Sequence, residues 1–161
     1  MKRFALLIVA MVCLSLTSFA ADAPAGDVFG GFSIVHVPSV TSYGWQASGA
    51  YNVTPMLGVV GDFGGQYKSG SSAYEYLFGP RYNVRQEKVT YFVHALFGGT
   101  HAEGGGNAFA MGYGGGVDVM AGKLTVRVIQ FDWIPEHISG GGWFKKTTRY
   151  GFGVVMPFGK K

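Results

Sequence analysis

Residues 73–85 read AYEYLFGPRYNVR, and every second side chain in this stretch is bulky and largely apolar. Tyr74, Tyr76 and Phe78 belong to one set, whereas Glu75 and Arg81 belong to the other. A period of two is typical of a β-strand with one apolar and one polar face, because successive strand side chains point to opposite faces. The stretch is also long enough to cross a membrane as a tilted strand, which takes about 9–11 residues.

The same alternation recurs in further segments of the chain, and turn-forming residues separate these segments. Eight segments show it: Asp27–Val37, Tyr43–Val53, Leu57–Lys68, Ala73–Arg85, Val89–His101, Asn107–Met120, Lys123–Trp133 and Thr148–Phe158. No stretch with a helical period occurs beyond the N-terminal 20 residues. The sequence therefore predicts an all-β protein.

The connections between these segments are alternately tight and long. The tight ones are Thr54–Met56, Gln86–Lys88 and Ala121–Gly122, and the long ones are Pro38–Ser42, Ser69–Ser72, Ala102–Gly106 and Ile134–Thr147. Short turns at one end and long loops at the other are typical of bacterial outer-membrane barrels, whose turns face the periplasm. We therefore predict an eight-stranded antiparallel up-and-down transmembrane β-barrel, with both chain ends on the periplasmic side.

Composition excludes several other classes of protein. Of 161 residues, 27 are glycine and 16% are aromatic, whereas only 14% are charged. Disordered chains have the opposite balance, and glycine disfavours helical bundles. The net charge is +4, and it falls to +2 without Lys2 and Arg3, which is too little to indicate nucleic-acid binding.

The N-terminus has the three parts of a secretory signal peptide. Lys2 and Arg3 precede the apolar run Phe4–Leu16, and Ser18-Phe19-Ala20 fits a small-x-small cleavage site. The alternative, a transmembrane anchor, needs a longer apolar run of about 20 residues. We therefore predict a signal peptide over residues 1–20 and a barrel domain over 21–161. Cys13, the one cysteine, lies in the signal peptide, so the mature chain has no disulfide or thiolate site.

Two kinds of barrel fit the alternation: a soluble lipocalin-like barrel with the bulky set inside, and a membrane barrel with that set outside. The second is favoured because the polar set is largely Gly and Ala between its charges, and because so few charges cannot coat a soluble surface. The aromatic residues also sort into two bands, as at the two interfaces of a membrane. The predicted girdles are Tyr43, Trp45, Tyr67, Tyr74, Tyr76 and Trp133 at the loop end, and Tyr51, Tyr82, Tyr91 and Phe158 at the turn end.

The charged residues of the strands are expected inside the barrel. A Lys or Arg on the lipid face near the midplane costs about 2–4 kcal/mol, so these side chains should face inward and pair. The predicted polar network of the lumen is Asp62, Lys68, Glu75, Arg81, Arg85, His94, Asp118, Arg127, Gln130, Asp132 and Arg149. Such a cluster fits a narrow channel or a catalytic site. A polar plug is favoured, since eight strands leave room for little more than side chains and buried charges must pair in any case.

Two strands depart from simple alternation. In the seventh, a β-bulge at Val128–Ile129 would keep Arg127, Gln130 and Asp132 all inward. In the fourth, Pro80 removes a ladder hydrogen bond, and we expect a local bulge there.

No motif indicates an enzyme, a metal site or a cofactor. No two of His36, His94, His101 and His137 have the spacing of metal ligands. Glu136, His137 and Ser139 are close in sequence, which is weak support for a catalytic triad. The run Gly112–Gly116 lacks the lysine and the helix of a phosphate-binding loop.

The longest loop, Ile134–Thr147, carries Trp143, Phe144, Lys145 and Lys146. These residues would suit contact with lipopolysaccharide phosphates or with a host or neighbouring molecule. We favour a mobile, solvated loop with one girdle tryptophan.

Residues 26–159 resemble the family of small eight-stranded outer-membrane barrels, the OmpA/OmpX-like barrels. The resemblance rests on Phe29-Gly30-Gly31-Phe32, on Leu77–Arg81, on the glycine-rich sixth segment and on the aromatic terminal segment Gly151–Phe158. It implies a Gram-negative outer membrane, contact with its lipid and lipopolysaccharide, and recognition of the last strand by the barrel-assembly machinery. Phe158 is followed by Gly159-Lys160-Lys161 instead of ending the chain, and no peptidoglycan-binding domain follows, so a cell-wall tether is not implied.

The sequence thus predicts a monomeric, non-enzymatic outer-membrane barrel with a structural or surface-interaction role and a largely closed lumen. A narrow porin-like pore for small solutes is the main alternative. A lipid-modifying enzyme and a soluble barrel with an apolar ligand cavity are less favoured.

Overall fold

The computed structural model describes residues 23–38, 40–68, 70–122, 124–138 and 140–159, so the predicted signal peptide and Cys13 lie outside the described residues. These residues form ten strands and no helix. The strands are β1 (Gly26–Val37), β2 (Val40–Asn52), β3 (Leu57–Lys68), β4 (Ser71–Arg85), β5 (Val89–Ala102), β6 (Gly106–Ala121), β7 (Leu124–Trp133), β8 (Glu136–Ile138), β9 (Gly142–Phe144) and β10 (Thr148–Phe158). Within the described part of the chain, no helix is long and apolar enough to span a membrane.

Eight of these strands close into an antiparallel barrel. Strands β1 to β6 each pair with the next strand in the chain, and β10 pairs with both β7 and β1. The predicted eight-stranded up-and-down barrel is therefore confirmed. The predicted strand boundaries differ from the observed ones by three residues at most, at the start of β2.

The segment Ile134–Thr147, predicted as a mobile, solvated loop without strands of its own, contains the short β8–β9 hairpin. Strand β8 pairs with residues 108–110 of β6, and β9 pairs with β8. The amide of Met111 donates to the carbonyl oxygen of Pro135 at 3.0 Å, and Ile134 is fully buried. Strands of three residues are too short to produce a visible alternation, which is why the sequence did not indicate them.

The β-bulge predicted in the seventh strand is present. Val117 pairs with Ile129, whereas its neighbour Asp118 pairs with Arg127, so Val128 is the extra residue. The register with β10 shifts at the same level. Because of this bulge, Val128 and Ile129 both lie on the outer surface.

The bulge expected at Pro80 is absent. Phe78 pairs with Phe97 and Arg81 pairs with His94, so the register of β4 and β5 is the same on both sides of the proline. On the other side of β4, Pro80 remains opposite Val59. A proline removes one donor from the ladder, and this strand accepts that loss without an inserted residue.

Glycines provide space on both faces of the barrel wall. A Cβ on Gly64, on the inner face, would lie 2.7 Å from Oε1 of Glu75. A Cβ on Gly65, on the outer face, would lie 2.6 Å from Nε1 of Trp45, whose ring covers the glycine from the neighbouring strand. The high glycine content therefore reflects large side chains that cross the lumen and aromatic rings that lie across the outer wall.

Candidate functional site

The interior of the barrel holds a charge network centred on Arg149 of β10, which is fully buried. Its NH1 group donates to Asp62 at 2.7 Å and to Glu75. Its Nε and NH2 groups donate to the same oxygen of Asp132 at 3.0 and 2.6 Å. One guanidinium thus joins carboxylates from β3, β4 and β7 across the lumen.

Three further side chains support these carboxylates. Gln46 of β2 donates to Asp62 at 2.7 Å, and Gln130 of β7 donates to Asp132 at 2.7 Å. Nε2 of His94 on β5 lies 2.7 Å from the other oxygen of Asp132. The Arg149 cluster therefore connects six of the eight barrel strands.

A second group of ion pairs, which contains two arginines, lies closer to the turn end of the barrel. Arg127 donates to both oxygens of Asp118, at 2.8 and 3.1 Å, which is the bidentate geometry of a strong ion pair. Arg81 donates to both oxygens of Asp27, on β1. Arg127 also donates to Gln130 at 2.8 Å, so Gln130 links this group of ion pairs to the Arg149 cluster.

Two aromatic rings point into the lumen against the general pattern. The guanidinium carbon of Arg127 lies 4.3 Å from the ring centres of both Phe29 and Phe92. Both rings are almost completely buried. Contact with aromatic faces stabilises a cation that has lost its water, so these two rings stabilise the Arg127 guanidinium group inside the barrel.

Most of the side chains predicted for the polar network are found in the lumen. The structure buries Asp62, Glu75, Arg81, His94, Asp118, Arg127, Gln130, Asp132 and Arg149. Lys68 is an exception: it lies at the loop end of β3 and is exposed, although its position in the alternation is inward. Arg85 is only half-buried, at the turn end, where it donates to the carbonyl oxygen of Pro55. Alternation predicts whether a side chain lies on the inner or the outer face of the barrel wall. It does not predict where along the barrel axis the lumen ends.

Several luminal residues were missed from the sequence. They are Asp27, Phe29, Ser33, Gln46, Ser48, Asn52, Gln66, Asn83 and Phe92, all of which are buried. Most are uncharged polar side chains at inward positions of β1 to β4. Applying the alternation to Ser, Asn and Gln as well as to charged residues would have found them. The two inward phenylalanines have no such signal.

The predicted girdle residues lie on the outer surface with one partial exception. Tyr43, Trp45, Tyr51, Tyr67, Tyr74, Tyr76, Tyr91, Trp133 and Phe158 are exposed. Tyr82 is half-buried, and its hydroxyl group donates to Sδ of Met56, in the β2–β3 turn, at 3.4 Å.

The network is held together by ion pairs and hydrogen bonds. Among the described residues, no group of three or more His, Asp and Glu side chains is arranged to hold a metal ion. The Arg149 and Arg127 guanidinium groups are each bound by carboxylates. Of the three residues considered as a triad, Ser139 lies outside the described residues, and the ring of His137 packs on Trp143 with 5.2 Å between ring centres.

No protein-family model matches the sequence, and no curated protein matches it. Solved structures do match the fold. Neisserial surface protein A (NspA) has a TM-score of 0.58 and 15% identity, with 83% of this chain and 96% of that chain covered. Ail, the attachment invasion locus protein of Yersinia pestis, has a TM-score of 0.49 and 16% identity, with 83% and 99% covered. At such low identity, the likeness to NspA shows the fold alone.

Proposed function

We propose that this chain is an integral outer-membrane β-barrel protein of a Gram-negative bacterium, with a closed lumen and a structural or surface-interaction role. The observation that carries the proposal is the inverted polarity of the barrel. Side chains such as Val59, Val93 and Met156 are 55–59% exposed on the outer wall, whereas Arg127 and Arg149 are at most 2% exposed inside it. This arrangement suits a lipid environment around the barrel and is the reverse of the pattern in soluble proteins.

Export and assembly complete the proposal. Residues 1–20 serve as the signal peptide, and residues 21–161 form the mature barrel, which acts as a monomer of the OmpA/OmpX-like type. Strand β10 ends in outward aromatic and apolar side chains, and we infer that the barrel-assembly machinery recognises it. The exposed aromatic bands contact outer-membrane lipid and lipopolysaccharide.

A closed lumen is supported by the position of the two groups of ion pairs. Carboxylates from β3, β4 and β7 meet Arg149 from β10, and Arg81 reaches Asp27 across the barrel. These side chains therefore extend across the lumen at two levels, which supports a closed barrel. In a planar bilayer, we expect the purified protein to give no discrete conductance steps. Reproducible openings would support the narrow pore instead.

Membrane fractionation combined with gel electrophoresis tests the proposal itself. We expect the protein in the outer-membrane fraction, with different gel migration before and after boiling, because a closed membrane barrel stays folded in detergent. Recovery in the soluble periplasm without that change in migration would overturn the proposal. A soluble barrel that binds small ligands would then be favoured.

A further inference from the structure

The outer face of the β8–β9 hairpin extends the aromatic surface of the barrel beyond the membrane-spanning strands. Phe109 of β6 pairs with His137 of β8, which pairs with Trp143 of β9, so the three side chains occupy one row on one face. The ring centres of Phe109 and Trp143 lie 6.4 Å apart, and those of His137 and Trp143 lie 5.2 Å apart. Phe109 and Trp143 are nearly half exposed, and the row is continuous with the outward residues of β6.

Two lysines follow this row directly. Lys145 and Lys146 are both exposed, and the indole nitrogen of Trp133 donates to the carbonyl oxygen of Lys145 at 2.8 Å. That hydrogen bond holds the lysine segment against an outward-facing residue of the predicted loop-end girdle. None of the ion pairs found among the described residues involves either lysine.

The acid nearest in sequence is directed away from this face. Glu136 pairs with Ala110 and Phe144, one register position from the aromatic row, and it is partly buried. The hairpin therefore combines exposed aromatic rings with two exposed lysines that take part in none of the ion pairs of the described residues. We call this surface, formed by Phe109, His137, Trp143, Lys145 and Lys146, the hairpin platform.

We propose that the hairpin platform binds a phosphate group of a phosphorylated glycolipid in the outer leaflet. This inference rests on the proposed membrane insertion. Aromatic side chains prefer the headgroup level of a bilayer, where the lysines meet phosphates and the rings lie beside the sugars and the first acyl carbons. Charge complementarity selects an anionic headgroup, since a zwitterionic lipid would give the two lysines less attraction.

Native mass spectrometry of the folded protein in zwitterionic detergent tests this site, with diphosphoryl lipid A as the probe. The variant is Lys145→Gln/Lys146→Gln, and the charge-matched control is Lys68→Gln/Lys88→Gln, which removes two exposed lysines elsewhere. We expect the variant to bind roughly 30-fold more weakly than wild type, from about 1 kcal/mol per lysine, and the control to bind within about threefold of wild type. Dephosphorylated lipid A should bind wild type as weakly as diphosphoryl lipid A binds the variant.

The outcomes separate this proposal from the one on which it rests. Equal binding of lipid A by the variant and by wild type would overturn the platform as the phosphate site. Equal binding of the dephosphorylated lipid, or displacement of lipid A by millimolar inorganic phosphate, would overturn a lipid phosphate as the occupant. Each sample is first checked for the change in gel migration on boiling. A wild-type protein that lacks this change would instead contradict the proposed membrane barrel.

Discussion

Replacing Arg149 by methionine should severely destabilise the barrel. The substitution keeps much of the volume but removes the one guanidinium that joins Asp62, Glu75 and Asp132, all of them at most 8% exposed. Removing one partner of a buried ion pair typically costs 3–5 kcal/mol, because the remaining charge is left without compensation. Three carboxylates depend on Arg149, so we expect a loss at the upper end of this range.

This loss of stability is measured by urea unfolding of the protein in phosphatidylcholine vesicles. The readout is the fraction of protein that keeps the gel migration of the folded form. With a typical slope of about 2 kcal/mol per molar urea, a loss of about 5 kcal/mol should lower the midpoint by roughly 2.5 M. Lys88→Met is the control: it makes a similar change at an exposed turn residue and should change stability by less than about 0.5 kcal/mol. If Arg149→Met unfolds within about 1 kcal/mol of wild type, the network does not hold the strands together as described.

Three further substitutions test other parts of the barrel, each by the same unfolding measurement or by proteolysis. Gly114→Ala should cost about 1–3 kcal/mol, because the added Cβ would overlap the inward carboxylate of β7 and the carbonyl before it. The control Gly49→Ala should be nearly neutral, because there is open space around the added Cβ. If Gly49→Ala and Gly114→Ala destabilise the barrel equally, the described packing of the wall is contradicted. Val154→Arg, on the outer face at mid-strand, should lower the stability in vesicles by about 2–4 kcal/mol, whereas the control Glu87→Arg, at a turn, should not. A Val154→Arg variant as stable as wild type would argue against lipid on that face. Burial raises the pKa of Glu136, so its contribution to the β8–β9 hairpin is present at acidic pH and is lost as the pH rises through the folded-state pKa. The rate of tryptic cleavage at the two lysines after β9 is measured in wild type and in Glu136→Gln, and the ratio of the first rate to the second should therefore rise with pH. A ratio that stays constant with pH would refute this linkage.

Alternation predicted the wall of this barrel well, because a period of two is a property of every strand. It even located the bulge at Val128–Ile129, since Arg127 and Gln130 can both face inward only if one residue is inserted between them. It did not indicate the depth of a residue along the barrel axis. For this reason Lys68 was predicted inside although it lies exposed at the loop end.

No sequence pattern reveals which side chains contact each other across the lumen. Arg149 and Asp62 are 87 positions apart, and their contact depends on the curvature and stagger of the closed sheet. The inward rings of Phe29 and Phe92 both contact Arg127, a relation among three strands that alternation along one strand does not reveal. The β8–β9 hairpin was missed for a different reason: its strands have three residues each.

Spin labels placed along β10 test the central claim, that the apolar face of each strand meets lipid. The sequence has one cysteine, Cys13, in the predicted signal peptide, so single cysteines at positions 150–156 can be labelled selectively in the mature chain. In bilayers, we predict high oxygen and low nickel-reagent accessibility at Tyr150, Phe152, Val154 and Met156, and low accessibility to both at Gly151 and Val155. Nickel-reagent access at Phe152 and Val154 would place the apolar face in water and contradict the membrane barrel.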